Sequence, residues 1–270
     1  MRAAPAVALA LAFALTFASG AISARADEIA VKLPTRPGVT ETFAYRTAGQ
    51  PKAVAILFPG GDGLIGVSDN LGSAFIKRPG NFLIRSRDKF VAQGIATISF
   101  DVPSDESDGL PGEFRMSAEH GQDVAAVVAW ARQKVAAPVW LVGTSMGSIS
   151  AANAASRLGG QVDGLVLTSS VSAPNKRTPA IANGVLSIAL DKVAVPSLVM
   201  DHVNDTCVAS PPENADVIAK RLTMSPRVEV KMIEGGDTPK SGPCEAFSYH
   251  GYYGAEDRAV AAIAAFMLKK

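Results

Sequence analysis

Residues 138–158 read PVWLVGTSMGSISAANAASRL. A Val-rich run, Val139 to Val142, meets an Ala-rich run, and Gly143-Thr144-Ser145-Met146-Gly147 stands at the junction. A serine placed this way between two glycines fits a tight strand-to-helix turn, which holds the hydroxyl clear of its own backbone as a nucleophile elbow does. The five-residue pattern is a weak signal on its own in a chain with 24 glycines. Its meaning depends on the elements around it.

Short apolar runs flank the motif on both sides. Ala53–Phe58 ends in Pro59-Gly60-Gly61, and Ala96–Phe100 ends at Asp101 after a helical stretch over 84–93. Gly164–Leu167 and Ser197–Met200 follow the motif, and Val228, Val230 and Met232 alternate with charged residues as in a strand wet on one face. Helices fall between these runs. Ser117 is placed to cap one that carries Val124, Val127, Val128 and Ala131 on a single face, Pro211-Pro212 opens another, and Val260, Ile263, Ala264 and Met267 mark the last. Fully apolar strands alternating with helices predict an α/β fold, a doubly wound and mostly parallel sheet covered on both faces. Ligand sites in such sheets lie at the carboxyl ends of the strands. Gly60-Gly61, Ser145 and Asp205 then share one rim, and Ala151, Ala152, Ala154 and Ala155 let the helix after Ser145 pack closely on the sheet.

The first 26 residues read as a signal peptide: Met1-Arg2, an apolar run from Ala6 to Phe17, and Ala24-Arg25-Ala26 as a small-x-small cleavage site. The run is too short for a stable membrane anchor, since spanning takes about 20 apolar residues. An exported protein, periplasmic or secreted, is therefore expected, with 27–270 as a single domain. Its 24 basic and 25 acidic residues form no basic block, which argues against nucleic acid as a partner. In an exported chain the two cysteines, Cys207 and Cys244, suggest a disulfide.

On these residues the chain resembles the α/β-hydrolases. The resemblance rests on G-T-S-M-G (143–147), on P-G-G-D-G (59–63) after the first central strand, and on H-V-N-D (202–205) after the penultimate one. It implies a serine, an acid and a histidine in that chain order, an oxyanion hole of backbone amides, and no cofactor or metal. The family contains esterases, lipases, thioesterases, dienelactone hydrolases and peptidases, so the fold does not name a substrate.

A serine needs a base to take its proton, and the base needs an acid to hold its tautomer. Of the three histidines, His120 lies on the apolar side of its helix and reads as structural. His202 precedes the acid position in the wrong order. His250 remains as base, although the chain runs through Thr238–Cys244 before reaching it, further than the family pattern. Asp205 takes the acid position, with Asp201 and Asp101 as alternatives. The oxyanion amides are assigned to Gly61, with Asp62 as the neighbouring option, and to Met146. A bond from Cys207 to Cys244 would tie the acid loop to the base loop. No large cap is expected, since Ser172–Val195 has room only for a short helix, while the Gly-rich stretch 60–81 could cover the site. Arg85 and Arg87 read either as solvated or as contacts for an anionic substrate, and Phe247, Tyr249, Tyr252 and Tyr253 as pocket lining or packing. The expected function is a serine hydrolase acting on a small-molecule carboxylic ester through an acyl-enzyme. The alternatives are a peptidase or amidase, and a catalytically silent binding protein on the same fold.

Overall fold

The computed structural model describes Met1, residues 27–174 and residues 183–269. The expected signal peptide lies outside the described residues apart from Met1, and so do residues 175–182 of the loop expected over 172–195.

The strands are β1 (Asp27–Arg36), β2 (Val39–Thr47), β3 (Ala53–Phe58), β4 (Val67–Asn70), β5 (Ser73–Ile76), β6 (Ile95–Phe100), β7 (Val139–Thr144), β8 (Gly164–Thr168), β9 (Ser197–His202) and β10 (Val228–Ile233). The helices are α1 (Phe82–Arg85), α2 (Arg87–Ala92), α3 (Gly112–Arg115), α4 (Ala118–Lys134), α5 (Gly147–Leu158), α6 (Asn214–Arg221) and α7 (Glu256–Leu268). Eight strands form one sheet in the order β1-β2-β6-β3-β7-β8-β9-β10, parallel from β6 to β10, with β1 and β2 antiparallel at one edge.

Alternation along β3 explains why its strand is apolar throughout. Val54, Ile56 and Phe58 enter one core with Val124 and Val127 of α4, Ile149 of α5 and Ile218 of α6. Ala53, Ala55 and Leu57 enter a second core with Phe82 and Leu83 of α1, Phe90 of α2 and Ile263 of α7. Each face of the sheet is thus buried under helices, and period-2 polarity has no place in the central strands. Ser117 caps α4 as expected, its side chain accepting from the His120 amide.

The sheet extends beyond the expected start at Ala53. β1 and β2 add an antiparallel edge in which Phe43 and Tyr45 face the first core and Ala44 the second. A hairpin, β4–β5, occupies the middle of the Gly-rich stretch. The helix expected over 84–93 is instead two short pieces, α1 and α2, divided at the buried Ser86. β10 is the other sheet edge, so Val230 and Met232 remain 38% and 36% exposed where a covered face was expected. Among the described residues, Ser172–Val195 holds only two short 3-10 turns, Gly184–Ser187 and Leu190–Lys192. No helix among the described residues is long and apolar enough to cross a membrane.

Candidate active site

Ser145 follows β7 directly and precedes α5 by one residue. Its φ is 53°, a left-handed conformation that is uncommon for a residue with a side chain and is kept only where the surroundings enforce it. The Ser145 amide donates to the Thr168 carbonyl on β8 at 3.0 Å, which locks the turn to the sheet. The glycines of the motif then have a steric reason. A Cβ on Gly147 would stand 2.1 Å from the Phe58 carbonyl oxygen, and one on Gly60 would stand 2.8 Å from Ser145 Cβ. The elbow and the 59–63 turn approach too closely for any side chain between them.

Asp205 and His250 come together 45 residues apart in sequence. His250 Nδ1 lies 2.8 Å from Asp205 Oδ2, with both residues buried. The other carboxylate oxygen, Oδ1, accepts from the Cys207 amide at 2.8 Å. With the carboxylate holding Nδ1–H, Nε2 carries the free lone pair. That nitrogen is buried without a protein partner, and His250 lines a cavity of about 450 Å³ together with Ser145. No hydrogen bond joins Ser145 to His250 among the described residues. In sites without substrate such a bond is often long, and it tightens when substrate binds.

The long excursion before His250 folds back on itself. The Asp237 amide donates to the Tyr253 carbonyl at 3.0 Å, and the Lys240 amide to the Phe247 carbonyl at 2.9 Å. A disulfide joins Cys207 to Cys244, with the Cα atoms 4.6 Å apart. It pins the excursion to the loop that carries Asp205.

The alternative acids and bases have other employment. Asp101 accepts from the Ile65 and Val67 amides at 2.8 and 2.6 Å, anchoring the entry to the β4–β5 hairpin. Asp201 meets no histidine, and burial, with the Asp205 carboxylate nearby, pushes its carboxyl well above the usual range. His202 accepts from the Asn204 amide at Nδ1 (3.1 Å), so its Nε2–H donates to the Gly235 carbonyl (2.7 Å), and its ring stacks on Tyr249. His120 sits among Phe58, Phe100 and Phe114 with neither nitrogen partnered, and burial lowers its pKa to about 3.

Two side-chain expectations are corrected. Arg85 neither projects into solvent nor reaches toward the cavity. It pairs with Glu256 (2.9 Å) and donates to the carbonyls of Gly80 (2.9 Å) and Gly251 (2.6 Å). Arg87 pairs with Glu28 at 2.6 Å and donates to the Ile84 carbonyl. A planar guanidinium with several donors is satisfied best by such mixed partners. The aromatic residues around His250 pack rather than line: Tyr249 on His202, Tyr252 on Phe82 and Phe247 on Tyr253.

The Gly61 and Met146 amides have no internal acceptor among the described residues, and both residues line a second cavity of about 870 Å³ that also reaches Ser145. Its wall is largely apolar, from Leu110, Met146, Val171, Val208 and Ala209 with the disulfide. The smaller cavity is more polar, with Asp62, Arg78 and Asn81, and Glu245 lines both. Arg115 is a buried arginine that the sequence does not single out. It is buried behind the 59–63 turn and donates to the Gly61 carbonyl at 3.1 Å. A single arginine near a short helix carries no local signal of such a place.

A family model described as serine aminopeptidase, S33, matches residues 82–236, which include Ser145 and Asp205 and stop short of His250. A comparison with curated proteins returns no match. Among solved structures, the Pyrococcus furiosus esterase Pf2001 superposes with a TM-score of 0.63 at 14% identity, over 89% of this chain and 90% of that one. Est1E from Butyrivibrio proteoclasticus gives 0.60 at 15% identity, over 89% and 98%. The dienelactone hydrolase from Anabaena variabilis gives 0.57 at 14%, over 89% and 96%. At these identities the likeness is one of fold. With its elbow, its sheet order and a family match over more than half its length, the chain belongs to the serine aminopeptidase S33 family and is a hydrolase of the α/β-hydrolase fold.

Proposed function

We propose that the protein is an exported serine esterase that cleaves a small carboxylic ester carrying an apolar acyl group. The observation that carries this reading is the His250–Asp205 pair at 2.8 Å, which leaves Nε2 without a protein partner in a residue that lines a cavity with Ser145. Ser145 Oγ attacks the ester carbonyl carbon while His250 Nε2 takes its proton, and Asp205 stabilises the imidazolium. The carbonyl oxygen becomes an oxyanion held by the Gly61 and Met146 amides. Collapse breaks the bond to the alcohol oxygen, which receives the proton from His250. Water then repeats the sequence on the acyl-enzyme, releasing the acid and free Ser145.

Because His250 must reach the leaving oxygen, the alcohol lies in the smaller, more polar cavity that His250 lines. The acyl group is left with the apolar cavity of about 870 Å³, which is within the size range of small-molecule sites. The family description raises a second reading, an aminopeptidase. Such a substrate brings a charged amine on its acyl side, and an unpaired charge there is costly. Glu245, the one charged residue among the described lining of that cavity, is exposed and already accepts from the Gly242 amide at 3.1 Å, and the rest of the wall is largely apolar, which favours the ester. The leader sequence and the Cys207–Cys244 bond support export, since disulfides persist in oxidising compartments.

The test combines fluorophosphonate labelling with a substrate panel. Wild type should label at Ser145 and hydrolyse p-nitrophenyl esters of increasing acyl length far faster than aminoacyl p-nitroanilides. Ser145→Ala should lose several orders of magnitude in rate, about 10³-fold or more, with little change in Tm. A Ser145→Ala protein that keeps a tenth of the activity would remove this serine from the mechanism. Preference for the anilides would establish the peptidase, and an unlabelled, inactive wild type the silent scaffold.

A further inference from the structure

Arg115 ends α3, directly after the Leu110–Gly112 wall of the large cavity. Its side chain is wholly buried, and among the described residues no carboxylate lies within ion-pair distance of it. Burial pushes its pKa down to about 10, with Asp62 acting on it only through space. The neighbouring His120 is neutral and offers it no opposite charge. Two of its nitrogens are engaged: Nη1 donates to Ser150 Oγ on α5 at 3.0 Å, and Nη2 to the Gly61 carbonyl at 3.1 Å. Nε is buried without a partner. The fit against the turn is close, since a Cβ on Gly63 would stand 2.8 Å from Nη2.

The two segments that Arg115 joins are those carrying the proposed oxyanion amides. Gly61 belongs to one, and α5 begins immediately after Met146. A separation of amides held by a rigid side chain needs no reorganisation when charge develops, which is where preorganised donors are most effective. A buried charge without a counter-ion is costly in the resting protein. That cost falls when negative charge appears nearby, and in ester cleavage this happens only in the tetrahedral state. An interaction that strengthens only there raises kcat without tightening substrate binding.

On this geometry, and resting on the serine-esterase reading above, we infer that Arg115 is a positioning residue for the oxyanion hole. It clamps the Gly61 turn to α5, and its unneutralised charge favours the oxyanion. Arg115→Met keeps the length and apolar bulk but removes the charge and both hydrogen bonds. It should lower kcat on p-nitrophenyl butyrate by about 10²-fold, the scale of one lost oxyanion donor, while KM stays within about threefold. Affinity for an apolar trifluoromethyl ketone, whose adduct with serine carries an oxyanion, should fall in parallel with kcat. Arg115→Lys should recover part of both losses. Ser150→Ala removes one arm of the clamp and should lower kcat and ketone affinity together by a smaller factor, about threefold to tenfold.

A folded Arg115→Met protein that keeps more than a third of wild-type kcat overturns the inference, as does loss of kcat with ketone affinity unchanged. If Arg115→Met does not fold, Ser150→Ala decides: the parallel loss supports the clamp, and wild-type kcat overturns it. Failure of the underlying reading is separate, because wild type itself would then neither label with fluorophosphonate nor hydrolyse the ester.

Discussion

His250 and His120 are both buried imidazoles, 4% and 0% exposed, and each leaves Nε2 without a protein partner. At the rim beyond β9, His250 has a carboxylate on Nδ1 and a cavity beyond Nε2. Between the sheet and α4, His120 has only aromatic rings around it, a guanidinium in the background, and neither nitrogen engaged. Burial by itself makes a histidine a neutral packing group, since desolvation disfavours the cation. A carboxylate partner and access to a reacting atom are what turn the same side chain toward proton transfer. The surroundings of the two rings differ in those two features far more than in exposure.

Exchanging each ring for an apolar one breaks the comparison most severely. His250→Ala should lower kcat/KM by about 10³-fold or more in a folded protein, because the proposed nucleophile and base would act as a unit. His120→Phe should leave kcat/KM within about threefold, as the ring joins a cluster of aromatics. The measurement is ester hydrolysis by both variants beside circular dichroism. An inactive, folded His120→Phe protein with an active His250→Ala would invert the assignment.

The disulfide sharpens the contrast from the side of His250. Cys207 and Cys244 are separated by 37 residues, and a loop of that length implies stabilisation of about 4 kcal/mol in the chain-entropy account. Cys207→Ser, Cys244→Ser and the double variant should share one lowered Tm, since each removes the same bond. Because Cys207 also supplies the amide that holds Asp205, turnover should fall by about tenfold alongside. Additive losses in the double variant, or unchanged turnover, would show that the bond does not position the acid and base loops.

The smallest effect concerns pH. His120 titrates near pH 6.5 when unfolded and near about 3 when folded. Between these values the unfolded state binds more protons, so this group makes stability fall as pH drops through that window, by up to about 1.4 kcal/mol per pH unit. Glu41, buried and raised well above its usual value, acts with the opposite sign above pH 4.5, where the unfolded carboxyl ionises. Comparing wild type with His120→Phe isolates the histidine. Denaturant melts at pH 7.5 and pH 5 should show the variant losing less stability on acidification. Equal losses would mean that His120 is protonated in the fold.

The central strands, the turn at Ser145 and the position of Asp205 just beyond β9 were legible along the chain. Each rests on a local pattern: a continuous apolar run, a close backbone approach that only glycine permits, or a position just beyond a strand end. The β1–β2 edge left a weaker trace, because Phe43 and Tyr45 are separated by the apolar Ala44, which enters the second core while the two rings pack on Trp130 of α4. Two distant pairings, His250 with Asp205 and Cys207 with Cys244, followed from order and count, although their distances belong to the folded chain.

Other features were decided by the tertiary structure alone. Arg85 looks like a solvated or substrate-facing charge beside Arg87, yet the local Gly80 carbonyl, with Glu256 and the Gly251 carbonyl brought from far along the sequence, takes up its donors. Arg115 shows no sign in its neighbours that it will lie buried against Gly61 and Ser150. Periodicity and turn chemistry act over a few residues, so an amino-acid sequence expresses them directly. The partner of a long charged side chain is chosen among all groups the fold brings within reach, and that set exists only once the sheet and its helices have packed.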